Sequence, residues 1–268
     1  MNRIRIAIVG AAGRMGQRLV ALATADPQLE IACAVESAKH PQIGEDSGVV
    51  AGIKANGVPI SVKIGQNVDV IIDFSSPQGM DALLDYCLEH HTPLVYATTG
   101  LSPEQRSRLH ESARQIPLLW SPSMSMTVIL GMRLAQEAAK VLKDKDADVE
   151  IIEHHHRYKV DAPSGTALKF GQLIAAEMGI DQFAHGRSGE VGARPHQEIG
   201  YHAVRIGDNP GQHTILFGLL GETLELTIKA SNRDAYALGA LAAAKFLTGK
   251  PVGLYDMNDV LFNGSQAR

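Results

Sequence analysis

The beginning of the chain combines an apolar segment, a glycine-rich turn and a segment with helical composition. We predict a strand at 4–9 and a helix at 15–25. The turn between them is G-A-A-G-R-M-G, Gly10 to Gly16. Glycines at a strand-to-helix turn let a pyrophosphate approach the backbone at the helix N-terminus. Because many glycine turns are only tight turns, this one needs support from elsewhere in the chain.

An acidic residue supplies that support. Glu36 closes the second predicted strand, 31–35, and lies twenty residues after Gly16. A carboxylate at this place can accept hydrogen bonds from both hydroxyls of an adenosine ribose. Arg14 can contact a phosphate or the adenine ring. The plainer interpretation is a solvated strand end and a solvated helix start, but the combination with the turn favours a dinucleotide site.

The first half of the chain continues to alternate between strands and helices. Further strands are predicted at 68–74, 94–97 and 118–120, and further helices at 79–90 and 103–115. This β-α-β succession predicts an α/β fold with a Rossmann-type doubly wound parallel sheet.

Hydroxyl-rich segments follow two of these strands. Ala97, Thr98 and Thr99 follow the fourth strand, and the segment 121–125 follows the fifth. Ligands bind at the carboxyl ends of strands in this architecture, so both segments are candidate ligand contacts. Both can equally be turns whose hydroxyl groups need no ligand.

The pattern changes near residue 150. An apolar strand is predicted at 149–153, and strands at 213–219 and 223–230 flank a short turn that contains Gly221. The last two strands form a hairpin. We therefore predict a second domain with an antiparallel component.

The segment E-H-H-H-R-Y-K-V-D-A-P-S-G-T, residues 153–166, places a candidate proton donor, several cations and a helix start together. Histidine is the side chain most easily poised to give or take a proton near neutral pH. Lys159 adds a charge that holds an anion or lowers the pKa of a nearby imidazolium. Ser164 can cap a helix whose first N–H groups, at Gly165 and Thr166, would point at an anion.

Two other interpretations of this segment remain open. It can be a solvated basic loop between a strand and a helix. It can also bind a metal, but consecutive histidines cannot all converge on one ion from a strand, and the later histidines show no recognisable metal spacing. The coincidence of charge, proton donor and anion-binding helix end favours a substrate site without a metal.

The composition excludes several classes of function. The formal net charge of −4 gives no footprint for nucleic acid. No apolar run approaches membrane-spanning length, and no secretion signal precedes the first strand. Cys33 and Cys87 lie in apolar segments far apart, as expected of buried thiols in a reducing compartment. We therefore expect a cytoplasmic protein with a small-molecule substrate and with neither nucleic acid nor membrane as partner.

Four stretches of the chain together resemble one family. They are G-A-A-G-R-M-G, A-T-T-G, E-I-I-E-H-H-H-R-Y-K-V-D-A-P-S-G-T-A and G-K-P-V-G-L-Y-D-M-N-D-V-L. They resemble the dihydrodipicolinate reductases (4-hydroxy-tetrahydrodipicolinate reductases) of bacterial lysine and diaminopimelate synthesis. The resemblance implies a dinucleotide-binding domain at 1–126 plus 235–268. It also implies a second α/β domain at 127–234, whose open mixed sheet serves substrate binding and assembly into a homotetramer.

The resemblance further implies roles for individual residues. His155 matches the proton donor, and Lys159 matches the lysine that works with it. The positions that match residues binding the substrate carboxylates are His156, Ser164, Gly165 and Thr166. The positions that match contacts of the nicotinamide dinucleotide are Gly10, Ala11, Ala12, Gly13, Arg14, Met15, Glu36, Ala97, Thr98, Thr99, Ser121, Pro122, Ser123 and Met124.

One departure from the family pattern bears on the cofactor. Family members often carry an arginine directly after the acidic residue of the second strand, where it can meet a 2′-phosphate. This chain has Ser37 there, with Lys39 two residues on. A 2′-phosphate would meet like charge at Glu36 and find no guanidinium. We therefore expect NADH, NADPH or both as cofactor, with NADH at least as good.

The residues and the resemblance together predict an NAD(P)H-dependent oxidoreductase. Its expected reaction is the reduction of 4-hydroxy-tetrahydrodipicolinate, a cyclic dicarboxylate, to tetrahydrodipicolinate. One alternative is an NAD(P)-dependent dehydrogenase with another carboxylate substrate on the same fold. The other is a non-catalytic dinucleotide sensor, against which the intact His155 and Lys159 argue.

Overall fold

The structure is a computed structural model that describes residues 2–65, 67–121 and 123–263. The chain divides into two compact units. One runs up to Met126 and resumes at Arg233, and the other spans Thr127–Asn232. The described helices include none that is long and apolar enough to span a lipid bilayer.

Strands and helices alternate along most of the chain. The strands are β1 (Ile4–Val9), β2 (Leu29–Val35), β3 (Ile60–Ser61), β4 (Val70–Asp73), β5 (Leu94–Tyr96), β6 (Pro117–Trp120), β7 (Asp148–His155), β8 (Gln182–His185), β9 (Glu198–Arg205), β10 (Gln212–Leu219), β11 (Glu222–Lys229) and β12 (Gly253–Tyr255). The α-helices are α1 (Arg14–Ala25), α2 (Ser47–Val50), α3 (Met80–Glu89), α4 (Pro103–Ser112), α5 (Met126–Leu142), α6 (Gly165–Met178) and α7 (Asp234–Leu247). A 3₁₀ turn at Pro77–Gly79 and a π-helical turn at Asp259–Asn263 accompany them.

The first unit is built on a parallel sheet. Its strand order is β12-β6-β5-β4-β1-β2-β3, and every pairing in it is parallel. The order reverses between β1 and β4, because the chain continues to β2 and β3 on one side and to the later strands on the other. Ile6, Ile8, Ile71 and Ile72 in the central strands have no exposed surface. The predicted Rossmann-type doubly wound sheet is therefore confirmed, and its switch point lies at the ends of β1 and β4.

The second unit is built on a mixed sheet with the order β11-β10-β7-β9-β8. β10 is antiparallel to both β11 and β7, whereas β9 is parallel to both β7 and β8. The predicted hairpin and the mixed character of this sheet are confirmed.

The faces of the second sheet differ in burial. Along β7 the residues Val149, Ile151, Glu153 and His155 are buried, and the residues between them are half-buried. Both α5 and α6 pack on the buried face, where Phe170 of α6 belongs to one hydrophobic cluster with the strands. This face of β7 therefore begins apolar and ends with two polar side chains.

Candidate active site

The strand β7 carries the candidate proton donor. It ends at His155, whose side chain lies on the buried face and is 8% exposed as a residue. Side chains alternate between faces along a strand. His154 therefore lies on the other face, and His156 follows the end of the strand.

A buried carboxylate holds this histidine. Glu153 has no exposed surface, and its Oε2 lies 2.6 Å from Nδ1 of His155. Arg205 of β9 donates to both oxygens of the carboxylate, at 2.8 and 2.9 Å. The backbone N–H of Ser164 donates to Oε1 at 2.9 Å. Four donors thus converge on one carboxylate beneath the end of the strand.

Burial and hydrogen bonding shift the pKa values of Glu153 and His155 in opposite directions. Burial alone would raise the pKa of Glu153, but the hydrogen bonds from Arg205, His155 and Ser164 outweigh burial and lower it. Burial lowers the pKa of His155, and the nearby carboxylate only partly offsets this. The positive charges of Lys159 and Arg205 lower the pKa of His155 further. The imidazole is therefore a readier proton donor, once protonated, than an exposed histidine.

The start of α6 lies directly beside this pair. Ser164 is the N-cap, and its Oγ accepts from the N–H of Ala167 at 3.1 Å. The same Oγ lies 2.9 Å from Nε2 of His213. The hydroxyl of Ser164 is thus engaged within the protein. The N–H groups of Gly165 and Thr166 belong to the first turn, where the helix itself offers no acceptor, so they suit an anion.

His213 is a second buried histidine in this cluster. Its residue is 5% exposed, and its ring lies 5.2 Å from that of His155, edge to face. Burial, together with the charge of His155, lowers the pKa of His213 to about 4. A neutral His213 can accept the hydroxyl proton of Ser164, which fixes the helix cap.

Lys159 lies in the loop between β7 and α6. Its Nζ contacts both carboxylate oxygens of Asp161, at 2.7 and 2.8 Å. Nε of Arg205 donates to the carbonyl oxygen of Lys159 at 3.3 Å, so the loop is tied to β9. His156 follows the strand and its Nδ1 is buried without a hydrogen-bond partner among the described residues. An added ligand group could satisfy that nitrogen.

The glycine-rich turn of the first unit forms a tight cradle. Gly10 has φ +80°, and a Cβ there would lie 3.1 Å from Cα of Ser75. A Cβ on Gly16 would lie 2.0 Å from the carbonyl oxygen of Gly10. Gly13 is the N-cap of α1, followed by the exposed Arg14. The turn therefore needs glycine for its close backbone packing, which is the fit that a pyrophosphate site requires. The remaining predicted contacts in this turn, Ala11, Ala12 and Met15, are buried or half-buried.

Glu36 stands directly after β2, as predicted. Its backbone N–H donates to the carbonyl oxygen of Ser61 at 2.9 Å, which fixes the backbone beside β3. One carboxylate oxygen accepts from the N–H of the exposed Ser37 at 2.8 Å. The carboxylate keeps further lone pairs for two ribose hydroxyls.

The segment after β5 is held by a buried acid at the end of β4. Oγ1 of Thr98 donates to Oδ2 of Asp73 at 2.7 Å, and the hydroxyl of Ser75 donates to Oδ1 at 2.5 Å. Burial raises the pKa of Asp73, which is 1% exposed. Ala97 and Thr98 are buried, whereas Thr99 is exposed. Of the three predicted contacts here, Thr99 is thus the most accessible.

The segment after β6 is also closely packed. Oγ of Ser121 donates to the carbonyl oxygen of Ser123 at 2.7 Å, and Met124 is buried. A Cβ on Gly239 of α7 would lie 1.7 Å from the carbonyl oxygen of Met124, so the helix backbone presses against this segment. Pro122, a further predicted contact, lies outside the described residues.

Both cysteines lie in the first unit. Cys33 and Cys87 are free and buried, and burial raises the pKa of Cys87 to about 12. Among the residues that the structure describes, no group of three or more His, Cys, Asp or Glu side chains could hold a metal ion.

Both halves of the chain match one protein family. The family described as "Dihydrodipicolinate reductase, N-terminus" matches residues 4–124, and "Dihydrodipicolinate reductase, C-terminus" matches residues 127–261. The chain belongs to the dihydrodipicolinate reductases. A relative is the 4-hydroxy-tetrahydrodipicolinate reductase of Rhodopirellula baltica, 52% identical, with 96% of each chain covered. The enzyme of that name from Pseudomonas fluorescens is 45% identical, with 96% of this chain and 98% of that one covered.

Solved structures agree with this assignment. The dipicolinate-bound dihydrodipicolinate reductase from Paenisporosarcina sp. TG-14 matches with a TM-score of 0.75 at 27% sequence identity, covering 95% of this chain and 97% of that one. An amine dehydrogenase from Mycobacterium smegmatis matches with a TM-score of 0.62 at 14% identity over 95% of both chains, and so shares the fold. The reductase is therefore an oxidoreductase that uses a nicotinamide dinucleotide, which confirms the prediction at that level.

Several residues that shape the reductase site escaped the sequence analysis. Arg205 lies 52 residues from Glu153, and His213 lies 49 residues from Ser164. No local spacing links such pairs; only the pairing of β7 with β9 and β10 brings them together. Glu153 was within the motif, and a polar residue in an apolar strand was the available signal.

Proposed function

We propose that this reductase converts 4-hydroxy-tetrahydrodipicolinate to tetrahydrodipicolinate with NAD(P)H, as a step of lysine and diaminopimelate synthesis. The observation that carries the proposal is the shared carboxylate of Glu153, which accepts hydrogen bonds from His155 and from the N–H of Ser164, the N-cap residue of α6. A proton donor thereby stands next to a helix end suited to carboxylates. The reduction of a cyclic dicarboxylate that must also be protonated requires both a proton donor and a site for carboxylates.

The residues divide the work as follows. Loss of the 4-hydroxyl as water leaves a conjugated imine, and the bound dihydronicotinamide supplies the hydride that adds to it. The enamine-like anion that results takes its proton from the imidazolium of His155. Lys159 adds positive charge near the developing anion. The proposed carboxylate site is formed by His156, Ser164, Gly165 and Thr166, with Ser164 shaping the helix end and the next two residues donating N–H groups.

The glycine turn and the three strand ends form the proposed dinucleotide site. The residues assigned to it are Gly10, Ala11, Ala12, Gly13, Arg14, Met15, Glu36, Ala97, Thr98, Thr99, Ser121, Pro122, Ser123 and Met124. The collision that a Cβ on Gly16 would make with Gly10 means that α1 packs closely on the turn, and this packing supports a helix N-terminus aligned for the pyrophosphate. Because Glu36 is followed by Ser37, we further propose that NADH serves at least as well as NADPH.

Two features support the proposed setting and assembly. The free, buried Cys33 and Cys87 fit a reducing cytoplasm. On the face of the second sheet opposite α5 and α6, β7 and β10 place Ile152 and Leu216, both half-buried within one chain. Contact with further copies would bury these side chains, so we propose a homotetramer.

A direct assay tests the proposed reaction. The pure enzyme is mixed with NADH or NADPH and with enzymatically generated 4-hydroxy-tetrahydrodipicolinate. Cofactor oxidation is compared with that for several keto acids and other imines. Turnover confined to the dicarboxylate is expected. Turnover of another substrate class, or none at all with the dicarboxylate, would overturn the proposal.

A further inference from the structure

The carboxylate of Glu153 lies beside His155, the candidate proton donor. Glu153 lies two residues before His155 on the same buried face of β7, with 2.6 Å between Oε2 and Nδ1. We infer that Glu153 is a positioning residue, which fixes the orientation and tautomer of His155 and favours its imidazolium form. The inference rests on the proposed function, in which His155 gives the proton.

The hydrogen bonds determine which nitrogen reacts. The carboxylate receives two bonds from Arg205 and one from the backbone N–H of Ser164, besides the contact to His155. An ionised carboxylate only accepts hydrogen bonds, so Nδ1 of His155 must carry a proton. Nε2 is then the nitrogen that holds and releases the reacting proton. Without Glu153, nothing in this set of contacts would select between the two tautomers.

The positive charges around His155 make the carboxylate of Glu153 necessary for protonation of the imidazole. Arg205 reaches the cluster from β9 and Lys159 from the loop after the strand, and both disfavour a positive imidazole. His213 of β10 faces the ring edge to face, and burial keeps it neutral by lowering its pKa. Ser164 of α6 contributes no charge. Glu153 is therefore the group in this cluster that stabilises the charged ring.

Glu153 also sets the position of His155, the proton donor, relative to the first turn of α6. The same carboxylate binds the ring of His155 and the N–H of Ser164, the residue that caps α6. A rigid shared partner keeps the proton donor and the first turn of the helix in one fixed arrangement. A purely structural ion pair would need only the bond to Arg205.

The pH dependence of kcat tests whether Glu153 stabilises the protonated form of His155. Since His155 must be protonated to act, kcat falls as pH rises through its pKa in the complex. Glu153→Gln removes the charge, so we expect this falling limb to move down by about one pH unit or more. Glu153→Asp keeps the charge and should restore the midpoint of the limb, at least in part. A limb that stays in place in Glu153→Gln would overturn the inference.

A matched control lies on the same strand. Glu150 lies on the opposite face and is likewise held by two arginines and one histidine, Arg187, Arg194 and His202. Glu150→Gln also removes one ion-paired carboxylate from β7, although from a half-buried position. Its pH limb should remain at the wild-type midpoint. An equal shift in both variants would make the effect a general one and would contradict a specific role of Glu153.

A second measurement needs neither turnover nor a variant. The ¹⁵N chemical shifts of the histidine rings in the wild-type holoenzyme report the tautomer directly. Neutral His155 should carry its proton on Nδ1; a proton on Nε2 would overturn the inference even if Glu153→Gln fails to fold. Absence of wild-type turnover would instead count against the proposed function, and the ring shifts would still decide the tautomer.

Discussion

We expect position 37 to determine how well the proposed dinucleotide site binds a 2′-phosphate. The carboxylate of Glu36 suits two ribose hydroxyls and repels a phosphate, whereas Ser37 is exposed and uncharged. Ser37→Arg should therefore raise kcat/KM with NADPH by about tenfold or more, because arginine grips phosphate with two parallel hydrogen bonds. The wild type should use NADH at least as well as NADPH.

The value of kcat/KM is measured for NADH and for NADPH at a fixed substrate concentration, in the wild type and in Ser37→Arg. The neighbouring Ala38 is also exposed and provides the control, because Ala38→Arg places the same charge one residue further on. Its gain with NADPH should be smaller. A strong wild-type preference for NADPH, or no gain in Ser37→Arg, would refute the assignment of this position.

The buried His213 makes the stability of the protein depend on pH. Its pKa is about 4 in the folded chain and ordinarily 6.5, so the unfolded chain binds the additional proton between these values. Stability is then complete above pH 6.5 and falls as the pH drops toward 4. Between pH 7.5 and pH 5 this group alone should remove about 2 kcal/mol from the free energy of unfolding.

Urea denaturation at both pH values measures this loss. His213→Gln removes the titrating ring and keeps an acceptor for the hydroxyl of Ser164. The variant should lose less stability than the wild type over the same interval, by about the contribution of one such group. Identical pH dependence in the two proteins would show that His213 does not titrate in this window.

At the level of single residues, the sequence nominated a candidate site but not the groups that support it. The histidines, Lys159 and Ser164 stand in one motif and were nominated by type and spacing, whereas the family resemblance singled out His155 among the three histidines. Arg205 and His213 come from other strands, and their contacts depend on a sheet register that no local pattern encodes. The sequence also could not reveal that the hydroxyl of Ser164 is engaged by His213.

The joint between β1 and α1 depends on Gly16. A Cβ there would lie 2.0 Å from the carbonyl oxygen of Gly10 and 2.6 Å from Cα of Ala11, both backbone atoms. Gly16→Ala must therefore push the helix away from the turn, at a cost of about 1–3 kcal/mol. It should also weaken NADH binding, since the helix N-terminus would no longer be aligned with the turn.

Thermal unfolding and the fluorescence of bound NADH measure the two effects. Gly65→Ala is the control, because a Cβ at that exposed glycine meets no atom within 4 Å. It should leave both the melting temperature and the Kd for NADH nearly unchanged. Equal behaviour of the two variants would show that the turn tolerates a side chain.

The elements that the sequence predicted are those with strong patterns. The strand β4 was found from its run of β-branched residues, and the hairpin of β10 and β11 from two apolar segments that flank a glycine turn. β3 has two residues and β12 has three, which is too short for any periodicity to appear. β9 was missed because its apolar residues are interrupted by Gly200, His202 and the charged end at Arg205.

For the molecule as a whole, the open face of the second sheet predicts assembly. Ile152 and Leu216 lie on the face opposite α5 and α6, next to the ion-paired Glu150. Light scattering at low micromolar concentration should give a mass near four subunits. Leu216→Lys should lower that mass, because it places a strongly hydrated charge in the contact. A wild-type mass near one subunit would refute the homotetramer.

The kinetic constants of three variants test most directly whether one segment both protonates the substrate and binds its carboxylates. His155→Gln and Lys159→Ala should lower kcat by about 10²–10⁴-fold while the Kd for NADH stays near the wild-type value. His156→Ala should act mainly on KM for the dicarboxylate, since carboxylate binding precedes the reaction. We expect this division between kcat and KM at saturating NADH. Near-normal kcat in His155→Gln, or an unchanged KM in His156→Ala, would contradict the assignment of the site.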